Sequence, residues 1–366
     1  MTGRTLICAL CLLAAPAAAR AQSAIADLGL TAGASPAVAV SAPRSAGADK
    51  SSEIINYSHT ASNPVDSAAN AAARGLYARL RAGYGRQILS GHTTQRFGDL
   101  VRVAGQNPVV RGFDMQNYSP RNPWHSDWSS WDDGTVQEAI NWHNSTGGRG
   151  IVTFQWHWFS PSGGRLERST FYTRDTSFDV SRAVISGTTE NREVLRDLDA
   201  IAAQLLRLQE AGVPVLWRPL HEAGGRWFWW GARGPEAAKA LYDLMYDRFT
   251  RHHGLHNLLW VWSTPEWDWY PGNAKVDIIG YDSYPIPFMY FPQKSMFDRL
   301  HRMVGDGKMI AMTEAGALPS IEWCFSSDAK WLYIMNWNEK TFSDNTDLHL
   351  AASYADERFT TLDRVR

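Results

Sequence analysis

The chain has 366 residues, of which 44% are hydrophobic and 20% charged, enough for one large core and of a length that fits a single α/β barrel of about 250 residues plus extensions. Its formal net charge of −1 gives no electrostatic reason to expect nucleic acid or an anionic membrane as a partner. The 17 tryptophans are the compositional oddity, since many Trp on one chain supply either a large core or flat apolar faces for sugar rings.

In chain order, the first element is a leader. Arg4, the apolar run Leu6–Ala15 and the small-x-small triplet Ala19-Arg20-Ala21 fit a secretory signal over residues 1–21. The apolar run is too short for a membrane span. Cleavage there removes Cys8 and Cys11 and leaves Cys324 alone, so the expectation is a secreted protein, extracellular or periplasmic, without an internal disulfide. Residues 22–62 are rich in Ala, Ser, Gly and Pro and read as a linker or disordered tail. From 63 to 366 the texture suits one domain.

Within that domain apolar runs alternate with helical patterns. The predicted strands are Ile88–Ser90, Val109–Gly112, Gly150–Phe154, Pro214–Trp217, Asn257–Trp262, Val276–Gly280, Lys308–Met312 and Trp331–Met335. The predicted helices are Ala68–Ala82, Thr135–His143, Glu193–Ala211, Pro235–His252 and Ser295–Val304. Continuous apolar strands suit a parallel sheet buried on both faces, and eight of them at this length predict an α/β fold of the (β/α)8 TIM-barrel type. Polar and aromatic residues gather just after each run, where such barrels carry their sites.

The densest of these clusters is Val215–Gly231, VLWRPLHEAGGRWFWWG. A strand end there meets Arg218, His221 and Glu222, a glycine turn and four aromatics. Glu222 follows the fourth strand and Glu314 the seventh, which face each other across a barrel mouth. A retaining glycosidase needs two carboxyls so placed, one to protonate the leaving oxygen and one to attack the anomeric carbon. The plain alternative is a buried, satisfied Glu–Arg pair under an aromatic core. Nothing points to a metal or cofactor: the sequence has no HExxH, and no G-x-S-x-G serine elbow.

VLWRPLHEAGGRWFWWG, then IIGYDSYP, then IAMTEAG resemble the pattern of glycoside hydrolase family 26 over about residues 75–340. The best-known members of that family are endo-β-1,4-mannanases. The resemblance implies a clan A barrel, a retaining double displacement, Glu222 as acid/base and Glu314 as nucleophile. It further implies substrate contacts from His157, His221, Trp227, Tyr284 and Trp337, with Tyr284 hydrogen-bonded to the nucleophile and Trp337 under the sugar whose bond breaks. Arg218 and Asp282 would pair or orient neighbours inside the barrel. The implied partners are β-mannan or manno-oligosaccharides, met by a monomer without nucleic acid or, after signal cleavage, membrane. A β-1,3-xylanase or mixed-linkage β-glucanase of the same family, or a carbohydrate-binding barrel without catalysis, are the alternatives.

Overall fold

The computed structural model describes residues 55–122, 132–164 and 170–365. Eight parallel strands form its centre: β1 (Ile88–Thr93), β2 (Val110–Asp114), β3 (Ile151–Gln155), β4 (Val215–Arg218), β5 (Leu258–Trp262), β6 (Ile278–Ser283), β7 (Met309–Ala315) and β8 (Tyr333–Asn336). They run in sequence order from β2 to β8, then β1, and β1 pairs back onto β2 to close a TIM barrel. A ninth short strand, β9 (Phe359–Thr360), pairs with the start of β1. The leader and residues 22–54 of the expected linker lie outside the described residues.

The register does the first work of assembling a site. Asp114 on β2 pairs with Gln155 on β3, and Gln155 pairs with Arg218 on β4. Asp282 on β6 pairs with Glu314 on β7. Polar side chains at the ends of adjacent parallel strands are thereby lined up at one rim.

Strands β1, β6 and β7 each run three residues further than the sequence pattern predicts, and the last two matter for the site. β6 and β7 each extend three residues past the apolar run, so Asp282 and Glu314 lie within strands and not after them. The extension holds because β7 carries one extra residue. Pairing with β6 steps from Tyr281–Met312 to Asp282–Glu314, and pairing with β8 is also out of step between Met312 and Ala315. A bulge of this kind kinks the strand and re-aims the side chains beyond it, here around Thr313.

Helices α1 (Ala71–Gly83), α2 (Phe97–Ala104), α3 (Thr135–Ser145), α4 (Thr189–Glu210), α5 (Pro235–Asp247), α6 (Lys294–Val304), α7 (Ile321–Ser326) and α8 (Asp347–Ala355) surround the barrel. The long helix α4 is capped by Thr188, whose hydroxyl accepts the Asn191 N–H, and buries Leu198, Ile201, Leu205 and Leu208. α2, α7 and α8 are absent from the sequence pattern because they are short. Between β5 and β6 the structure has no α-helix, only a single 3-10 turn, Trp267–Trp269. α1 touches β5, and its Ala73, Leu76, Tyr77 and Leu80 join the apolar cluster of Leu259, Val261, Ile278 and Ile310. Trp260 and Trp262 alternate to the other face of β5 and lie edge-on to Tyr242 of α5.

Residues 55–62, which composition assigned to the linker, belong to the folded body. Ile55 is buried, the Tyr57 hydroxyl donates to the Asp328 carbonyl at 3.0 Å, and Ala61 N–H donates to the Gly307 carbonyl at 3.1 Å. Further along, the buried Asp277 carboxyl accepts Val65 N–H and Trp260 N–H, both at 2.8 Å, and Asp66 pairs with His256 at 2.8 Å. Asp277 is the pin that ties this segment to β5. Asp277→Ala strands the buried Trp260 N–H and the half-buried Val65 N–H and is expected to cost about 2–4 kcal/mol, read by urea or calorimetric unfolding. Unfolding unchanged to within half that value would show that the pin carries no load.

Candidate active site

Arg218 stands at the centre of the barrel mouth with 1% of its side chain exposed. A guanidinium without water needs acceptors for its fixed fork of donors. Nη1 donates to Ser263 Oγ at 3.0 Å and to Asp282 Oδ2 at 3.0 Å. Nη2 donates to Gln155 Oε1 and to Glu314 Oε1. The other Glu314 oxygen accepts the Tyr284 hydroxyl. Burial alone would lower the Arg218 pKa, but Asp282 and Glu314 outweigh it and raise it. This cation is ionised in any aqueous condition, and Glu314 faces it as its buried counter-ion.

Glu222 reaches the same space by a strained turn. Pro219 ends the β4 ladder, then Leu220 (φ 51°) and Glu222 (φ 53°) both take left-handed backbone around His221. Non-glycine residues hold such angles only when their surroundings impose them. Here Glu222 N–H donates to the Ser263 carbonyl at 3.1 Å and Ala223 N–H to Thr264 Oγ1 at 3.0 Å, so β5 braces the turn. Gly231 closes it from behind, where a Cβ would lie 2.1 Å from the Ala223 carbonyl oxygen. The Trp227 indole folds over Gly225 and donates to Glu222 Oε2 at 3.0 Å.

One oxygen each of Glu222, Asp282 and Glu314 lie within 4.8 Å of one another. Such a trio could hold a cation, and the Arg218 guanidinium already supplies the positive charge between two of its members. Three carboxyls around one cation cannot all ionise cheaply. Burial, then Glu314 and Asp282, push Glu222 well above the usual carboxylate range, against the pull of Arg218 and the Trp227 N–H. Burial also raises Asp282, to about 7, although Arg218 opposes it. Glu222 is thus the carboxyl that keeps a proton.

A second network fixes His157. Asp114 accepts Gln116 N–H at 2.9 Å, Gln155 Nε2 at 3.0 Å, His157 N–H at 3.0 Å and His157 Nδ1–H. Burial would raise the Asp114 pKa, and the contacts with His157 overcome it and lower it. Because Nδ1 donates to Asp114, the other ring nitrogen is the one left for a ligand. Gln155 bridges the two networks, accepting from Arg218 and donating to Asp114.

The His157 ring lies 4.6 Å from that of His221 and 6.1 Å from that of Trp337, whose backbone N–H donates to the Ala315 carbonyl at 2.9 Å. His221 is fully buried, and burial, with His157 and Arg218 beside it, lowers its pKa well below the ordinary value. No hydrogen bond joins it to Glu314. It stands in an aromatic wall with Phe228 and Trp230, its Nδ1 without a partner among the described residues.

The profile of glycosyl hydrolase family 26 matches residues 65–363. The chain belongs to glycosyl hydrolase family 26. Among family 26 relatives, a mannan endo-1,4-beta-mannosidase of Thermothelomyces thermophilus is 41% identical over 81% of this chain and 62% of its own length. Mannan endo-1,4-beta-mannosidase B of Piromyces sp. is 31% identical over 80% of this chain and 52% of its own. The chain therefore spans between about half and three-fifths of these two relatives. The solved structure of a GH26-CBM35 β-(1,4)-mannanase from Podospora anserina superposes with a TM-score of 0.79 at 38% identity, covering 89% of this chain and 71% of that one. A β-mannanase from a symbiotic protist of the termite Reticulitermes speratus, solved with gluco-manno-oligosaccharide, gives 0.76 at 32% identity, covering 84% and 98%.

All nine residues singled out by sequence thus fall around the mouth of this family 26 barrel. Three partners escaped the sequence reading as site members: Gln155, Ser263 and Thr313, the last of which donates to Asp282 at 2.6 Å. Gln155 had a usable signal, since it closes an apolar strand in Gln155-Trp156-His157-Trp158. The tryptophans divide by burial. Trp156, Trp158, Trp229 and Trp230 are core, whereas Trp227 is 46% exposed.

Arg218→Met keeps the length of the side chain and removes the cation, leaving Asp282 and Glu314 face to face. The expected result is a loss of about 3–5 kcal/mol in urea unfolding. An unfolding curve within about 1 kcal/mol of wild type would show that the two carboxyls do not need it.

Proposed function

We propose that this family 26 chain is a retaining, endo-acting glycoside hydrolase that cleaves β-1,4-mannosidic bonds in mannan, glucomannan or galactomannan. The observation that carries the chemistry is the separation of Glu222 and Glu314, whose oxygens approach within 4.8 Å. Retaining pairs stand about 5–5.5 Å apart, while inverting pairs need roughly 6.5–9.5 Å to admit a water between carboxyl and sugar. The names of the Thermothelomyces, Piromyces and termite-protist relatives support mannan as the substrate. The leader-like first 21 residues support export of the enzyme.

In this reading Glu222 begins protonated and gives its proton to the glycosidic oxygen. Glu314, ionised and held at both oxygens by Arg218 and Tyr284, attacks the anomeric carbon and forms a glycosyl ester. Its negative charge is then gone, so one of the forces raising the Glu222 pKa disappears. Glu222, now the carboxylate, takes a proton from water as that water attacks the ester. His157 and Trp337 stand where the sugar bearing the broken bond would sit, and Trp227, bonded to Glu222, stands by the departing one.

Glu314→Ala is expected to lower kcat on mannan by roughly four orders of magnitude or more, and substantial turnover would remove it from the nucleophile role. Glu222→Ala should cripple mannan hydrolysis but spare an aryl mannoside with a good leaving group, and should abolish the alkaline limb of its pH profile. A panel of glucomannan, galactomannan, xylan and lichenan, scored by reducing ends, separates the mannanase reading from the other β-glycanases and from a binding barrel.

Trp227→Phe tests the acid itself. The indole N–H favours the charged form of Glu222, so its loss raises that pKa further. Activity that needs protonated Glu222 falls as pH rises through its pKa. The alkaline limb of kcat/KM should therefore move to higher pH, and a limb that stays or moves down contradicts Glu222 as the acid.

A further inference from the structure

Among the described residues three tryptophans are exposed: Trp227, Trp267 and Trp323. Trp323 lies on α7 stacked with Phe291, its ring centre 6.0 Å away. Trp227 belongs to the turn that carries Glu222. Trp267 is the most exposed of the three, at 54%, and among the described residues no aromatic ring packs against it. It opens the 3-10 turn Trp267–Trp269 after β5, the connection that lacks an α-helix, and Trp269 at the other end of that turn is buried.

Besides the Ser263 carbonyl on Glu222 N–H, the β5 turn is fastened to the Glu222 turn at three points. Thr264 Oγ1 accepts Ala223 N–H at 3.0 Å, the Arg226 guanidinium lies 5.7 Å over the Trp269 ring, and Glu266 lies against Gly224. A Cβ at Gly224 would come within 2.3 Å of Glu266 Oε2, so the glycine is what admits that carboxyl. Glu266 Oε2 is enclosed against Gly224 without a hydrogen-bond partner among the described residues, which anchors the carboxyl and leaves its other oxygen, Oε1, as the one open to a ligand. Burial raises its pKa against the pull of its own N–H and of Arg299. An unanswered acceptor thus adjoins an exposed flat ring, one strand further round the barrel than Glu222. That is away from His157 on the β3 side and Trp337 at the end of β8.

We propose that Trp267 and Glu266 form a leaving-side sugar site, in which a mannosyl unit beyond the one departing past Glu222 stacks on the Trp267 face and donates a hydroxyl hydrogen bond to Glu266 Oε1. The proposal rests on the mannanase reading above. A neutral sugar suits both halves of the pair, since its C–H face covers the indole and its hydroxyls are donors that a half-buried carboxyl lacks. The site binds substrate and takes no part in bond breaking, so its loss should appear in KM and leave the chemical step alone.

The test compares the full-length wild type with Trp267→Ala, Trp267→Tyr and Glu266→Gln on two substrates. Mannohexaose reaches past the first leaving position, whereas a nitrophenyl β-mannobioside places only the aryl group there. Trp267→Ala should raise KM for mannohexaose roughly five- to tenfold with kcat nearly unchanged. It should also shift the product pattern away from cuts that leave two or more sugars on the departing side. Trp267→Tyr, which keeps a flat face, should recover most of that loss, and Glu266→Gln should give a smaller rise. All three should match wild type on the nitrophenyl substrate. Equal losses on both substrates, or none on mannohexaose, overturn the site while leaving the mannanase reading intact. A wild type inert toward mannohexaose, mannan and the nitrophenyl mannobioside overturns the mannanase reading and this proposal with it.

Discussion

One buried guanidinium organises the mouth of this barrel. Arg218 has lost its water, so every donor must find an acceptor, and the acceptors come from β3, β5, β6 and β7. That requirement ties the strand register to the site. Gln155 lies beside Arg218 because β3 and β4 pair there, and Asp282 lies beside Glu314 because β6 and β7 pair there after the bulge. Buried ion pairs of this kind are poor investments for stability, because desolvating the charges offsets much of their attraction. Their use here lies in geometry: a planar fork with fixed donor directions sets where the Glu314 carboxylate can stand.

The barrel was legible in the sequence because its strands are buried on both faces and run as continuous apolar segments. Glu222 and Glu314 were legible because each follows such a segment, in a block whose residue order is specific. What escaped has physical causes. The bulge around Thr313 is a pairing event between strands, invisible within either one. Leu220 and Glu222 adopt left-handed backbone under pressure from Ser263 and Thr264, and no glycine or asparagine announces it. The sequence pattern already places no helix between the fifth and sixth strands, but the packing of the N-terminal helix α1 on β5 is a contact between distant segments that no local pattern carries. Residues 55–62 looked like linker by composition, yet Ile55 and Tyr57 are enough to fold them onto the barrel.

The run Trp227-Phe228-Trp229-Trp230 shows how neighbouring aromatics take opposite roles. Trp229 and Trp230 are fully buried, and their indole N–H groups donate to the Trp158 and His221 carbonyls at 2.7 and 2.9 Å. They hold the turn that presents Glu222. Trp227 points the other way, with its N–H on Glu222 and its ring at the surface. Composition alone treats these four residues alike, and their burial and hydrogen-bond partners sort them.

The proton count of the site sets the order of the proposed steps. Glu222, Asp282 and Glu314 together offer three negative charges against the one positive charge of Arg218, within a space largely closed to water. The cluster relieves this by keeping a proton on Glu222, the carboxyl with no direct contact to the guanidinium. When Glu314 becomes a neutral ester, two carboxyls remain against one cation, and Glu222 can release its proton. Asp282 makes that change tolerable. It stays within 3.0 Å of Arg218 and keeps the buried cation paired while Glu314 is esterified. Without it, ester formation would leave an unpaired guanidinium in the barrel, and the electrostatic cost would fall on the intermediate. Asp282 touches no reacting atom in this scheme, yet it lets the nucleophile give up its charge.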